Sequence, residues 1–331
     1  MARDVRVAVI GAGGAAQVVH LPILKRLPAV EVVGIVDPEL TRARTIAERF
    51  HIPGVARSLS DLAGADQLEA VVVCTPNHTH EEVVLSALHR GLHVLCERPL
   101  SVSAPSAARM IEAARSAERQ LMVAMNQRFR YDVRAIRHFV TSGELGDVFF
   151  VRSSWLNQRY RRPRRGWRTQ AGGGVMMDLG AQAIDVALWL LGYPAVQRVT
   201  ARFHRGEGVV DDSAVALLSL TGGATISVEA TWELMEERDR HALYVFGTRG
   251  SARTAPFRVQ KEMETGLIDV TPPLDRSGSD LYTDSYRQEW AEFLRLVRGE
   301  KPMESPDEQV HLLQVLEACY RSAEEGREVA V

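Results

Sequence analysis

Three short stretches of this chain carry residue types able to do chemistry. The first is Gly11-Ala12-Gly13-Gly14-Ala15-Ala16, directly after the apolar run Val7-Ala8-Val9-Ile10, with Asp37 at the end of the next apolar run. A G-x-G-x-x-A element between a strand and a helix suits a pyrophosphate. Gly11 permits the tight turn, Gly13 lets the backbone come close, and the helix opening at Gly14, Ala15 and Ala16 offers free amides. A carboxylate at Asp37 accepts hydrogen bonds from ribose hydroxyls and repels a 2′-phosphate, which favours NAD; Arg42 and Arg44 nearby keep NADP open. The plain alternative is glycines that only make a turn and an Asp37 that only starts the Pro38 turn. The second stretch is Glu97-Arg98-Pro99, and the third places Asp178 and Gln182 four residues apart, on one face of a helix. Arg98 stays charged and the Gln182 amide does not titrate, so neither relays a proton in the ordinary way. Asp178 is the titratable member of that trio.

Positioning these groups requires an ordered frame, and the sequence supplies one. Arg6–Ile10, Val30–Val36, Ala70–Cys74, His93–Cys96 and Leu121–Ala124 read as buried parallel strands. Helical segments near Thr41–Phe50, His80–Arg90 and Ser103–Arg119 lie between them, the last opened by Ser103-Ala-Pro-Ser, with a Pro for the first turn and Ser to cap amides. This alternation predicts a doubly wound parallel sheet over residues 1–125. Thr75-Pro76-Asn77-His78 then sits at the carboxyl end of a strand, where ligands bind. His80 is expected to begin the next helix, and His78 to contact cofactor or backbone.

From 126 to 331 the pattern changes. Helices are expected over Arg130–Ser142, Met176–Leu191, Ser285–Arg298 and Ser305–Glu325. Strands are expected near Val148–Trp155 and at 196–204, 213–220, 224–232 and 241–246, two of them joined by Thr221-Gly222-Gly223. The result is a second α/β domain with an open, mostly antiparallel sheet covered by helices on one face. Thr271 to Gly278 is the best candidate for a mobile loop, and no internal repeat is visible.

Composition narrows the function. The 331 residues, 46% hydrophobic and 25% charged, carry a formal charge of −2, which argues against bulk binding to nucleic acid or membrane. No apolar run reaches the roughly 20 residues that span a bilayer, and the chain enters a strand by Val5, leaving no room for a signal peptide. Cys74, Cys96 and Cys319 are widely spaced and read as reduced thiols of a cytoplasmic protein, neither a disulfide frame nor a metal site. Against that near-neutral background, Arg159 to Arg168 holds six arginines, Arg168 among them, together with Tyr160 and Trp167. Guanidinium forks suit an anionic sugar, and Trp167 suits stacking on a pyranose. A solvated loop, or an arm pairing with a neighbouring subunit, is the plainer reading.

Gly11-Ala-Gly-Gly-Ala-Ala, Cys74-Thr-Pro-Asn-His, Glu97-Arg-Pro, Asn126-Gln-Arg-Phe, Gly172-Gly-Gly…Asp178-Leu-Gly and Asp211-Asp-Ser-Ala follow one another along the chain. In that combination the sequence resembles the Gfo/Idh/MocA family of sugar and inositol oxidoreductases. The resemblance implies an N-terminal Rossmann domain and a C-terminal domain whose sheet forms dimer or tetramer contacts. It also implies a nicotinamide cofactor in the cleft between them, and a sugar or polyol, an anionic one included, as substrate. Cofactor contacts are then expected from Gly11 to Ala16, Asp37, Thr75 to His78, Glu97, Arg98 and Asn126. Substrate contacts are expected from Arg98, Tyr160, Trp167, Arg168, Asp178 and Gln182. In the family pattern a Lys stands at Arg98 and a His at Gln182, and Asp185 is a further retained position. Arg98, Asp178 and Gln182 are therefore the candidate catalytic set, with Asp178 either the base or the ion-pair partner of Arg98, and Tyr160 an alternative donor. Two other functions fit the altered pair: a dinucleotide- and sugar-binding regulator without turnover, and an NAD-dependent enzyme that cleaves glycosides by oxidation and elimination.

Overall fold

The computed structural model describes residues 4–159, 173–206, 208–264, 266–274 and 280–331. The chain divides into two compact units, Met1–Asn126 with Tyr282–Gln309, and Gln127–Leu281 with Val310–Val331.

In the first unit, β1 (Val5–Ile10), β2 (Val30–Val36), β3 (Gly54–Ala56), β4 (Ala70–Val73), β5 (His93–Cys96) and β6 (Leu121–Val123) form one sheet in the order β3-β2-β1-β4-β5-β6. All neighbours are parallel. Helices α1 (Leu21–Leu24), α2 (Leu40–Phe50), α3 (His80–His89) and α4 (Ala104–Ser116) complete the crossovers. β1 and β4 are covered on both faces, so their sequences run apolar without alternation. The order reverses between β1 and β4, and the register aligns Ile10 with both Val36 and Val73. Gly11, Asp37 and Cys74 therefore leave the sheet at one level, at the switch point where such sheets bind ligands. Strand β3, three residues long, was not expected from the sequence. Ser103 precedes α4 in an extended conformation but makes no side-chain capping bond. Pro105 in the first turn has no N–H to be capped, which removes part of the need.

In the second unit, α5 (Tyr131–Thr141) leads into β7 (Val148–Gln158), and a buried helix follows as a π-helical turn, Met176–Gly180, continued by α6 (Ala181–Leu190). Strands β8 (Val196–His204), β9 (Ser213–Leu220), β10 (Thr225–Leu234), β11 (Arg240–Gly247), β12 (Gly250–Thr254), β13 (Phe257–Met263) and β14 (Gly266–Asp269) come next. Helices α7 (Leu281–Val297) and α8 (Glu308–Glu325) and the short β15 (Val329–Ala330) close the order. The sheet order is β14-β13-β12-β11-β7-β10-β9-β8-β15, antiparallel except for the parallel pair β7–β10. The sheet thus extends three strands beyond β11, over 250–269, where polar, half-exposed residues hide the alternation.

The sequence reading placed the helix at 285–298 in the second domain, and the structure places it in the first unit. Tyr286, Trp290, Phe293 and Leu294 recur on one stripe of α7 and join the core formed by Val7, Val9, Ile35, Val72 and Leu95. Among the described residues, no helix is long and apolar enough to cross a membrane, and no three metal-ligating side chains gather into a site. Cys74, Cys96 and Cys319 are buried free thiols. Burial pushes the Cys319 thiol up to about 12.

Candidate active site

In the first unit the glycine motif is held by its neighbours. Gly11 has φ +95°, and a Cβ on it would lie 2.7 Å from the Cys74 carbonyl oxygen, so only glycine lets β1 exit beside the loop after β4. The Ala12 amide donates to Asp37 Oδ2 at 2.8 Å. Asp37 Oδ1 accepts from the Glu39 amide at 2.9 Å and from Arg42 at 2.7 Å. Asp37 thus fixes the first step after Gly11 and already carries a guanidinium on its other oxygen. Beyond it the surface opens. Gly14 is exposed, a Cβ there would meet nothing within 4 Å, and one on Gly13 would meet only Cys74 O at 3.8 Å. The helical run then begins, passing through a π turn at Ala16–His20 in which the Leu21 amide reaches Ala16 O. Its first-turn amides have no carbonyl of their own helix to bond.

The loop after β4 faces the same edge. Thr75 Oγ1 and Asn77 Nδ2 are buried and find no hydrogen-bond partner among the described residues. Buried polar atoms rarely stay unpaired in a native protein. With the open backbone at Gly13 and Gly14, these two groups fit a dinucleotide with its pyrophosphate on the helix start. His78 is exposed on the short turn Asn77–Thr79. His80 opens α3, fully buried, with Nε2 3.0 Å from Thr75 O and Nδ1 3.0 Å from Pro99 O. Burial lowers its pKa against the pull of those carbonyls. Each ring nitrogen faces a backbone carbonyl, one of which accepts the N–H of the neutral ring, so His80 ties the loop after β4 to the loop after β5.

Glu97 follows β5, with one carboxylate oxygen 2.9 Å from His20 Nε2 and the other accepting the Arg98 amide at 3.1 Å. Burial raises the Glu97 pKa, but His20 and Arg98 outweigh it and hold the carboxyl below its usual range. Arg98 itself is half-buried. Asn126 is fully buried and donates to Ser285 Oγ at 2.9 Å, tying the end of β6 to α7. Sequence reasoning passed over His20, whose only signal was its place on the helix behind the glycine motif.

In the second unit the helix carrying Asp178 and Gln182 also starts from a strained glycine. Gly174 has φ +112°, and a Cβ on it would lie 2.1 Å from Asp211 Oδ1. Asp211 Oδ2 accepts the Met176 amide at 2.7 Å, and Oδ1 accepts the Tyr320 hydroxyl at 3.1 Å. Burial raises the Asp211 pKa despite these donors. Asp178 lies in the π turn and Gln182 in the first turn of α6, both almost fully buried. Single π turns inside α-helices recur at functional sites. Asp185, one turn on, accepts from Arg128 Nε at 2.9 Å and from the Tyr193 hydroxyl, so it anchors the Asn126-Gln-Arg-Phe stretch. Arg98 belongs to the first unit, and Asp178 and Gln182 to the second. Tyr160, Trp167 and Arg168 lie outside the described residues, as do 275–279 of the expected loop; of the arginine-rich stretch Arg159 is described, 3.2 Å from Glu233.

Comparison with known proteins agrees with this geometry. Residues 5–125 match the NAD-binding Rossmann fold of the GFO/IDH/MocA oxidoreductase family, and residues 133–253 match the family's C-terminal domain. D-xylose 1-dehydrogenase (NADP(+)) 2 of Haloferax volcanii is 32% identical over 92% of this chain and 94% of its own length. D-glucoside 3-dehydrogenase of Escherichia coli K12 is 28% identical over 98% and 97%. GenD2 from gentamicin A biosynthesis, solved in complex with NAD, superposes with a TM-score of 0.85 at 27% identity, covering 100% of this chain and 97% of that one. With its pinned glycine motif, Asp37 and the paired sheet architecture, this chain belongs to the Gfo/Idh/MocA family of NAD(P)-dependent sugar and inositol oxidoreductases.

Proposed function

We propose that this protein transfers a hydride between a nicotinamide cofactor and a secondary alcohol carbon of a sugar, inositol or related polyol. The carrying observation is the cradle at Gly13 and Gly14 with its unpaired Thr75 and Asn77 groups. Near-full-length likeness to glucoside and xylose dehydrogenases points to pyranosides and aldoses as the first substrates to try. A dinucleotide whose pyrophosphate these groups would hold would supply, through its nicotinamide, the hydride acceptor for oxidation or the donor for reduction.

The chain's own residues have three tasks. Arg98 brings a fixed positive charge to the substrate oxygen, where it stabilises developing alkoxide. Gln182 orients that oxygen through its amide. Asp178 would take the hydroxyl proton in oxidation and return it in reduction, directly or through a water. This acid–base set departs from the family's Lys and His. A positioned site retains much of its acceleration without them, because alignment of the two carbons supplies a large share. Val215 and Leu217, exposed side by side on β9, mark the sheet surface we expect to pair subunits into a dimer or tetramer in the cytoplasm.

A screen of glucosides, aldoses, inositols, uronates and sugar phosphates with NAD and NADP tests the reading, run beside Arg98→Lys and Gln182→His. Steady reduction of cofactor by the parent protein is the expected result. Tight NADH binding with no turnover on any substrate would instead establish a sensor. Release of an aglycone without net NADH would establish glycoside cleavage.

A further inference from the structure

Beneath Arg98 lies a line of buried groups whose donors and acceptors permit one arrangement. Trp290 Nε1 is 3.0 Å from His20 Nδ1. An indole N–H only donates, so the nitrogen it meets must accept. His20 Nδ1 therefore carries a lone pair and the ring proton resides on Nε2, which donates to Glu97 Oε1 at 2.9 Å. Glu97 Oε2 remains to accept the Arg98 amide at 3.1 Å. His20 and Trp290 are fully buried, and the Glu97 side chain is 16% exposed. The indole and imidazole meet edge to face at 5.8 Å, and Tyr286 packs edge-on to His20 at 6.1 Å with its hydroxyl 3.3 Å from that of Tyr282.

We propose that Trp290 and His20 are positioning residues that lock the Glu97 carboxylate and, through it, the Arg98 backbone, with His20 held as the Nε2–H tautomer. Each link has a physical reason. A carboxylate with both oxygens engaged cannot swing to a new partner without leaving a buried donor unpaired. Arg98 is thereby presented from a backbone fixed on a helix core, as precise placement of a reacting group requires. The device joins α7 to the end of β5, so a residue far along the chain sets the local geometry at Arg98.

The tautomer is measured directly in the wild-type protein with isotope-labelled histidine and two-bond nitrogen–proton correlation. At neutral pH the Nε2–H tautomer is expected, and an Nδ1–H tautomer or a doubly protonated ring overturns the proposal. Trp290→Phe keeps an aromatic ring against the core but withdraws the donor. Hydrogen exchange at the Arg98 amide should then quicken about tenfold or more, while NADH affinity stays within about twofold. His20→Gln, which can still donate to Glu97, should restore much of the protection that His20→Leu loses. Unchanged Arg98 exchange in folded Trp290→Phe, or equal loss in the Gln and Leu variants, rejects the relay. If Trp290→Phe does not fold, the wild-type tautomer and the His20 pair decide. Two readouts rest on the oxidoreductase reading: NADH affinity and, with an active substrate, turnover, where Trp290→Phe should lower kcat and leave KM for the cofactor unchanged. The exchange and tautomer measurements stand without activity, so failure of the relay and failure of the function are separable.

Discussion

The helix start after Gly11 and the helix start after Gly174 use the same parts to opposite ends. Each has a glycine at positive φ, +95° and +112°. Each has an aspartate from another strand end accepting an early amide, Asp37 at Ala12 and Asp211 at Met176. Each continues into a π turn, Ala16–His20 and Met176–Gly180. The difference is what surrounds the first turn. After Gly11 and the buried Ala12 the chain opens at half-buried Gly13 and exposed Gly14, and Asp37 is met by an Arg42 that reaches in from solvent. After Gly174 the carboxylate is sealed by the Tyr320 hydroxyl, and the helix beyond is buried all round. A pinned helix terminus is therefore a general device for aiming a helix. It becomes a ligand site only where the amides are left open to solvent.

The largest effect that tests this contrast is expected from Gly174→Ala. The new Cβ meets Asp211 Oδ1 at 2.1 Å on a left-handed backbone, so unfolding by denaturant should show a loss of roughly 3 kcal/mol or more. A loss under about 1 kcal/mol would mean that the second start is not tightly pinned. Asp211→Asn comes next, costing roughly 1–2 kcal/mol because the amide cannot accept both donors. Its pH dependence has a definite sign. The folded Asp211 pKa lies above its usual 3.8, so the native state holds the proton more firmly and Asp211's favourable contribution is lost as pH rises past that value. Asn does not titrate, so the Tm gap between wild type and Asp211→Asn should be widest in acid and narrow with rising pH. A gap that widens instead would show Asp211 to be stabilised as the anion.

Gly13→Ala probes the open start. Its Cβ would meet only Cys74 O at 3.8 Å, so stability should stay within about 0.5 kcal/mol of wild type. NADH titration should nevertheless show a Kd about tenfold weaker, near 1.4 kcal/mol, from the lost backbone approach. Equal losses of stability and affinity would erase the distinction between the two starts. Arg42→Ala should give the smallest change. Removing an exposed guanidinium that shares Asp37 should weaken NADPH about fivefold or less and leave NADH within about twofold. The reverse preference would mean that Arg42 serves only to hold Asp37.

The first start was legible in the sequence, because its glycines, the strand before it and Asp37 form one local code. The second was only half legible: Gly172 to Gly174 and Asp211 stood out as motifs, but nothing linear joins a carboxylate at 211 to an amide at 176. The extra strands at 250–269 escaped because edge-side residues such as Arg253, Arg258 and Lys261 leave no apolar alternation to read. Asp185, noted in the sequence only as a retained position of the family pattern, is an ion-pair partner of Arg128, a contact 57 residues distant in sequence. The helical character of α7 was plain from Tyr286, Trp290 and Phe293, yet its apolar stripe says only that it packs, not on which unit. His20 was invisible for the same reason, since its partners Glu97 and Trp290 lie 77 and 270 residues away.

The membership of α7 in the first unit has a consequence for how the protein is made. Ribosomes add roughly 5–20 residues per second. Translation of residues 127–281 thus separates the last strand of the first sheet from Trp290 by on the order of 10–30 s. During that interval the core carrying Val7, Val9, Ile35 and Leu95 waits for the part of its cover that α7 supplies. The unit built on residues 1–126 therefore cannot complete its core until residues 127–281 have been synthesised, and a nascent chain stalled before residue 282 presents an apolar surface to chaperones and proteases.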